Sequence, residues 1–549
     1  MTTSQTGTTV LQGNRRWIAL LFLALGVAMI ILDATVVNVA LPQMIKDLGL
    51  TTSDAEWVNA SYSLAFASLL ILSGRIADLY GRRLMFIIGI IVFVGASVLV
   101  GISSTSIEVI GARTLQGVGA ALILPSSLSV LNAVFTGKAR SIAFAVWGAT
   151  IGGMAALGPL VGGWLTTYAS WHWAFFINVP IGIIVLIGVF LVVPETRAQT
   201  ATRGIDIPGT LLATFGLLGV VFALIEGQRY GWVIATNDFA AGPLVWPQGR
   251  VSLVLIAGVV GLVCLVSLIL VESRRLTAGK AVILDLRLFR IRSFGAGNVV
   301  AMVVSLGEFG LLFTLPLFLQ SVRGYTALQT GVILLALAIG SFVASGAGAG
   351  LSQRVGPVRV LQLGMALEVI GILGIGLVIS TTITGWGLAP WLFVYGAGVG
   401  FATAQLTGVI LAEVPVAESG QASAVQSTAR QVGAAVGTAI LGTTLLIGLG
   451  AAVQTNLADR GVPTQQAEQV SSIVANSAGT ATPGLSAQPD GQVLFEGASE
   501  GFADASRYVS WVAAGFVFLG LLASLLLPRN AARIESEGYA PPPDATSAT

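Results

Sequence analysis

Apolar residues run through this chain in stretches of about 20, each closed by charges or by turn-forming residues, and not in the two-residue alternation of a half-buried strand. Fourteen such stretches occur, at 17–41, 56–74, 84–103, 107–131, 141–165, 173–193, 205–226, 251–271, 295–320, 328–351, 358–379, 388–412, 421–448 and 508–527. A helix rises about 1.5 Å per residue and the hydrocarbon layer is about 30 Å thick, so the pattern predicts an all-α polytopic protein with fourteen transmembrane helices. The first stretch holds a single charge, Asp33. That carboxylate cannot slide out of either end of its helix, so it is paired, protonated or wet. A charge at the centre of a membrane helix costs roughly 2.5 to 3.5 kcal/mol even on lenient insertion scales, which makes Asp33 a functional residue by default.

The distribution of Lys and Arg sets the orientation. With both termini inside, the inner segments hold nineteen of the 27 and the outer segments six, while Arg113 and Arg430 lie within spans. Cytoplasmic loops retain positive charge, so the bias implies an even number of helices and cytoplasmic termini. Arg15 and Arg16 precede a run longer than a signal-peptide core with no small-residue cleavage pattern, so the first helix is expected to remain, with 1–16 as a cytoplasmic tail. The basic stretch 272–294, interleaved with Ile, Leu and Phe, is expected to lie against anionic headgroups and to join two bundles. Residues 451–506, rich in Ala, Ser, Gln and Gly, read as one long, partly ordered outer loop, and 528–549 as a disordered cytoplasmic tail.

Composition narrows the class further. Of 549 residues, 55% are hydrophobic and 9% charged, with a mean hydropathy of +0.88, which places most of the chain in lipid. Cys264 is the one cysteine, so no disulfide framework or thiolate metal cluster is expected, and it reads as packing. An internal repeat stands at an offset of 275: Asp33 maps to Glu308, Gly81 to Gly356, Gly158 to Gly433 and Gly162 to Gly437. Two six-helix halves, 17–193 and 295–527, then flank two inserted helices within 205–271. Paired halves with substrate near the midplane are a standard secondary-transporter architecture.

The turn between the second and third spans reads Gly74-Arg75-Ile76-Ala77-Asp78-Leu79-Tyr80-Gly81-Arg82-Arg83. Glycine permits a tight turn, and Asp78 with the arginines can pair internally or with a helix terminus that moves past them. This stretch resembles the signature loop of the major facilitator superfamily. With LDATVVNVALP at 32–42, RTLQGVGAA at 113–121, GPLVGGWL at 158–165 and WAFFINVPIG at 173–182, the chain is similar to that superfamily's fourteen-span drug/proton antiporter branch, over nearly its whole length.

The resemblance implies that Asp33 and Arg113 belong to the coupling machinery. Their positions are compatible with contact, since each lies about 9 to 12 Å below the outer edge of its span. Glu308, mid-span at the repeat position of Asp33, is the second coupling candidate, expected to find only water or substrate and to be the carboxylate protonated at rest. Gly74, Asp78, Gly81, Arg82 and Arg83 are candidates for conformational gating. So are Gly158, Pro159, Gly162 and Gly163, whose small-residue face allows close helix approach and a kink, and Arg430. Glu368 shares a depth with Arg430 and is expected to be structural; His172 is expected to be bland. Asn38, Asn59, Tyr62, Gln116, Phe309, Phe313 and Gln405 are candidate substrate-cavity positions.

Several classes drop out. No GxxxxGK[ST] phosphate loop supports ATP-driven transport, and no Ser/His/Asp set or HExxH supports an enzyme. Rings of like charge expected of a channel are absent, and nothing points to nucleic acid. The sequence is read as a monomer of the bacterial inner membrane that uses no cofactor beyond the proton gradient and exports amphipathic, cationic compounds in exchange for protons. A dedicated exporter of one natural product, lipid or siderophore is the alternative, with proton-coupled uptake a lesser one.

Overall fold

The computed structural model describes residues 14–50, 52–197, 206–241, 244–488 and 490–528. The two expected tails therefore fall almost entirely outside the described residues. Sixteen helices follow in order: α1 (Arg15–Leu48), α2 (Thr52–Tyr80), α3 (Arg82–Ile102), α4 (Ser106–Val134), α5 (Gly137–Tyr168), α6 (Trp173–Phe176), α7 (Asn178–Val192), α8 (Ile207–Tyr230), α9 (Leu253–Thr277), α10 (Arg292–Ser321), α11 (Ala327–Val355), α12 (Pro357–Val378), α13 (Gly385–Leu411), α14 (Ser419–Asp459), α15 (Thr464–Asn476) and α16 (Gly491–Ser524). A two-stranded antiparallel hairpin, β1 (Phe239–Ala241) and β2 (Leu244–Trp246), lies between α8 and α9, with Phe239 opposite Trp246.

Twelve spans among the described residues are long and apolar enough to cross a membrane, α6 and α7 counting as one. Helix α5, bent by 43° between Ala139–Met154 and Leu157–Tyr168, is a thirteenth. Pro159 lies beside that bend and lacks the N–H that would close the turn onto residue 155. The fourteenth is α10, whose 30 residues span about 45 Å. The chain is a multi-pass membrane protein.

Local signals set the ends. Thr105 and Glu108 form a capping box at α4, and Thr326 and Gln329 form one at α11. Between α2 and α3 the backbone turns at Gly81 with φ +127°, and 275 residues later it turns between α11 and α12 at Gly356 with φ +90°, both in the positive region that glycine tolerates.

Helix α1 lies along α5 and α7, and α4 along α2 and α3; in the second group α10 lies along α14 and α16, and α13 along α11 and α12. The groups meet where α5 runs beside α11 and α13, and where α14 crosses α2 and α4. Helices α8 and α9 pair with each other, and α8 leans on α2 and α14. On α9 Val259, Val260, Leu262, Val263, Val266, Ile269 and Leu270 are all exposed, a surface suited to lipid.

One expectation is corrected. Residues 451–506 are not a loop: α14 continues to Asp459, α15 follows, and a 3-10 turn at Thr482–Ala487 leads into α16. Leu457, Ala467, Val470, Val474, Leu485, Leu494, Ala498 and Phe502 bury against one another there. Their spacing on α15, at 467, 470 and 474, is the stripe of an amphipathic helix. The segment 272–294 turns its apolar members inward and leaves basic ones outside. Val282, Ile283, Leu284 and Leu288 are buried, while Lys280, Arg287 and Arg290 stay exposed.

Candidate functional site

Asp33 is fully buried on α1, and three donors from two other helices converge on it. Arg113 on α4 reaches Oδ2 through its NH1 at 2.5 Å. Gln116, one turn along α4, donates its Nε2–H to Oδ1 at 3.1 Å, and Asn178 at the start of α7 donates its Nδ2–H to the same oxygen at 2.9 Å. Both amides also donate to Ser97 Oγ on α3, at 2.7 and 3.1 Å. Arg113 donates in addition to Gln116 Oε1 at 2.7 Å and to the Val58 carbonyl at 3.2 Å, and its guanidinium lies 4.3 Å from the Tyr62 ring centroid. The cluster ties α1, α2, α3, α4 and α7 together through polar groups alone. Removing one partner of such a buried pair costs about 3 to 5 kcal/mol, because the other charge is left uncompensated.

The GPLVGG face of α5 seats α1 beside this cluster. A side chain at Gly158 would collide with Thr35, and one at Gly162 would come within 3.1 Å of Val36, two and three residues past Asp33. In the second group Gly433 and Gly437 press in the same way on the backbone of α10 at Met302 and Leu306, next to Glu308. Gly163 is buried and Pro159 half-buried on α5.

Glu308 is not alone with water or substrate. Arg430 on α14 reaches its Oε2 at 3.4 Å, and Tyr395 on α13 donates its hydroxyl to the Glu308 carbonyl at 3.3 Å. Position 388, the repeat of Arg113, is a leucine, so the second group takes its cation from α14, the counterpart of α5. Glu368 on α12 is fully buried within electrostatic reach of both Glu308 and Arg430.

The turn at 74–83 forms a latch between the two groups. Asp78 Oδ1 accepts from Arg82 Nε and NH2 at 3.1 and 2.9 Å and from the Gly420 N–H at 3.0 Å, while Oδ2 accepts from the Gln421 N–H at 3.0 Å. Asp78 therefore caps the first turn of α14, where the helix dipole favours an anion. Arg82 continues to the Val416 carbonyl at 2.7 Å. At Gly74 a Cβ would strike Gly420 and Ala424, so α2 and α14 cross at a distance only glycine permits. From α4, Ser129 and Asn132 hydrogen-bond Ser419 at 3.1 and 2.7 Å. Arg83 faces elsewhere: it donates to the Phe190 carbonyl at 2.7 Å, and Glu195 accepts the Arg83 and Leu84 N–H groups at 3.2 and 3.1 Å. Beside the latch, Gln421 Oε1 accepts the Asp285 N–H at 2.9 Å. Burial pushes the Asp285 carboxyl up, but hydrogen bonds from Arg287 and the nearby charge of Arg75 outweigh it and hold the group below the usual carboxylate range.

Of the cavity candidates, Tyr62 and Gln116 belong to the Asp33 cluster, and Asn59 is half-buried on α2. Gln405 is buried on α13 with its Nε2 unpartnered, near Gly348 of α11 and away from Asp33. The side chains of Asn38, Phe309 and Phe313 lie outside the described ones. Sequence reasoning did not single out Asn178 and Ser97. Asn178 is the one strongly polar residue in WAFFINVPIG, and that isolation was the available signal.

The profile of the Major Facilitator Superfamily matches residues 23–438. The chain is 36% identical over 438 residues to a puromycin resistance protein of Streptomyces alboniger, covering 78% of this chain and 82% of that one. It is 34% identical over 464 residues to a probable actinorhodin transporter of Streptomyces coelicolor, covering 83% and 76%. With a multidrug efflux pump of Mycolicibacterium smegmatis it shares 32% over 431 residues, covering 78% and 81%. A solved structure of the human organic anion transporter MFSD10 has the same fold, with a TM-score of 0.56 at 14% identity over 93% of this chain and all of that one. The chain belongs to the major facilitator superfamily.

Proposed function

We propose that this protein exports amphipathic, cationic small molecules across the bacterial cytoplasmic membrane in exchange for protons, by alternating access between its two helix groups. The observation that carries the reading is the buried Asp33–Arg113 pair. A buried carboxylate held by one guanidinium and two amides is balanced only while it is ionised. A proton arriving at Asp33 leaves Arg113 without its counter-charge, and a cationic substrate at the same carboxylate competes with that proton. Proton and drug are then mutually exclusive, which is sufficient for antiport.

The Asp78 latch closes the side of the molecule that carries the 74–83 turn. With that side cytoplasmic, as the Lys and Arg bias argues, the arrangement is the one in which drug leaves to the outside and protons enter. The relatives named for resistance to puromycin and for multidrug efflux support an exporter. The relative named as a probable actinorhodin transporter keeps a second reading open, that of an exporter dedicated to one natural product.

The test is uptake of ethidium into inside-out proteoliposomes holding only this protein. An inwardly acidic gradient is expected to drive accumulation that collapses when a protonophore is added. Accumulation indifferent to the gradient removes antiport, and no movement of any cation by folded protein makes the dedicated exporter the leading reading.

A further inference from the structure

Three ionisable side chains converge in the second helix group, and they do not balance. Glu308 on α10, Glu368 on α12 and Arg430 on α14 bring two carboxyls and one guanidinium into the same interior. Glu308 and Glu368 are 4% and 0% exposed. Among the described residues, Glu308 Oε1, both oxygens of Glu368 and Arg430 NH1 have no hydrogen-bond partner. The other charged or titratable groups facing Glu368 are few. From α13 there is Tyr395, whose hydroxyl donates to the Glu308 carbonyl; on α16 Asp504 and Arg507 pair with each other and Arg507 donates to the Ile379 carbonyl, eleven residues past Glu368.

We propose that this cluster is a second proton-binding site, in which Glu368 and Glu308 hold one proton between them against the single charge of Arg430. Two ionised carboxylates beside one guanidinium leave a net negative charge in a dry interior, whereas one bound proton makes the cluster neutral. The position of the proton follows from the donors. Glu308 Oε2 receives the Arg430 N–H and is the ionised partner, while Glu368 receives no donor and carries the hydrogen. The assignment reverses the expectation that Glu308 is the protonated acid, because Arg430 was not foreseen as its partner. Binding forms one carboxylic O–H bond, with the proton taken from water on whichever side is open; release returns it to water and lets both carboxylates share a cation. Its use in transport rests on the antiport reading above; its occupancy does not.

Infrared spectroscopy of the lipid-reconstituted protein reads this occupancy directly, through the C=O stretch of a protonated carboxyl. Wild type at neutral pH is expected to show a band that both Glu368→Gln and Glu308→Gln reduce by one carboxylic acid, since either change leaves one carboxylate and one guanidinium in balance. Arg430→Gln is expected to add one acid, and Glu368→Asp to keep the wild-type intensity. A Glu308→Gln spectrum unchanged from wild type means that Glu368 is protonated independently as a packing residue and overturns the shared site, as does a Glu368→Gln spectrum that loses nothing. If Glu368→Gln does not fold, Glu308→Gln and Arg430→Gln decide between the same outcomes. Should the band behave as expected while transport ignores the pH gradient, the antiport reading fails and the proton site stands.

Discussion

Glu308 meets Arg430 at 3.4 Å and ties α10 to α14, whereas 275 residues earlier Asp33 meets Arg113 at 2.5 Å and ties α1 to α4. The two helix groups keep a carboxylate at the same repeat position but recruit its cation from different neighbours. Separating α1 from α4 opens one pair, and separating α10 from α14 opens the other. The shorter pair is enclosed by two amides and a hydroxyl, while the longer one leaves Glu308 Oε1 and Arg430 NH1 without a partner among the described residues. On this geometry the second pair is the easier to part.

The Asp78 cap is expected to set the balance between open and closed on its side of the membrane. Asp78→Ala removes the capping oxygens together with the charge, and a lost cap costs about 0.5 to 2 kcal/mol, roughly a twofold to thirtyfold change in that balance. With Cys264→Ser as background and Ser129→Cys as reporter, labelling by an impermeant maleimide from the latch side should quicken accordingly. Equal labelling in the presence and absence of the Asp78 charge contradicts a latch.

Gly158→Val tests the α1–α5 contact that seats the Asp33 cluster. The added side chain meets Thr35, and overpacking of this kind costs typically 1 to 3 kcal/mol, so a lower thermal midpoint and lost transport are expected. Gly95→Ala, with nothing within 4 Å of the new Cβ, is the control and should be neutral or slightly stabilising. Equal losses in both variants indicate a general sensitivity of helices to glycine replacement.

Acid stability should report on Asp285. Its carboxyl is held below the usual range in the folded protein, so it contributes stability that is fully present above the unfolded pKa of about 4 and is lost as pH falls through the lower folded value. Arg287 is well exposed, which keeps the effect modest. Thermal midpoints measured from neutral pH down to strong acid should fall less steeply in Asp285→Asn than in wild type; parallel curves rule the contribution out.

What the sequence disclosed follows from how expensive each feature is in lipid. The spans were legible because hydrocarbon admits only long apolar helices, and Asp33 and Arg113 because lone charges at equal depth stand out. Amides and hydroxyls carry no such penalty signature, so the contribution of Asn178 and Ser97 was invisible until the chain folded. Arg430 was missed as the partner of Glu308 because repeat logic points to position 388, a leucine. The helices of 451–506 were hidden by their composition, since Ala, Ser and Gln suit a loop as well as they suit a helix whose narrow apolar stripe is Ala467, Val470 and Val474.

The most direct test concerns Asp33 itself. Ethidium flux in proteoliposomes is measured two ways, as accumulation driven by a pH gradient and as exchange at equal concentration without one, for wild type and Asp33→Asn. Gradient-driven accumulation is expected to vanish in the variant and exchange to weaken with it, because the amide neither takes up a proton nor offers the charge for which a cation competes. Gradient-driven accumulation that survives Asp33→Asn would contradict the assignment of coupling to the Asp33–Arg113 pair.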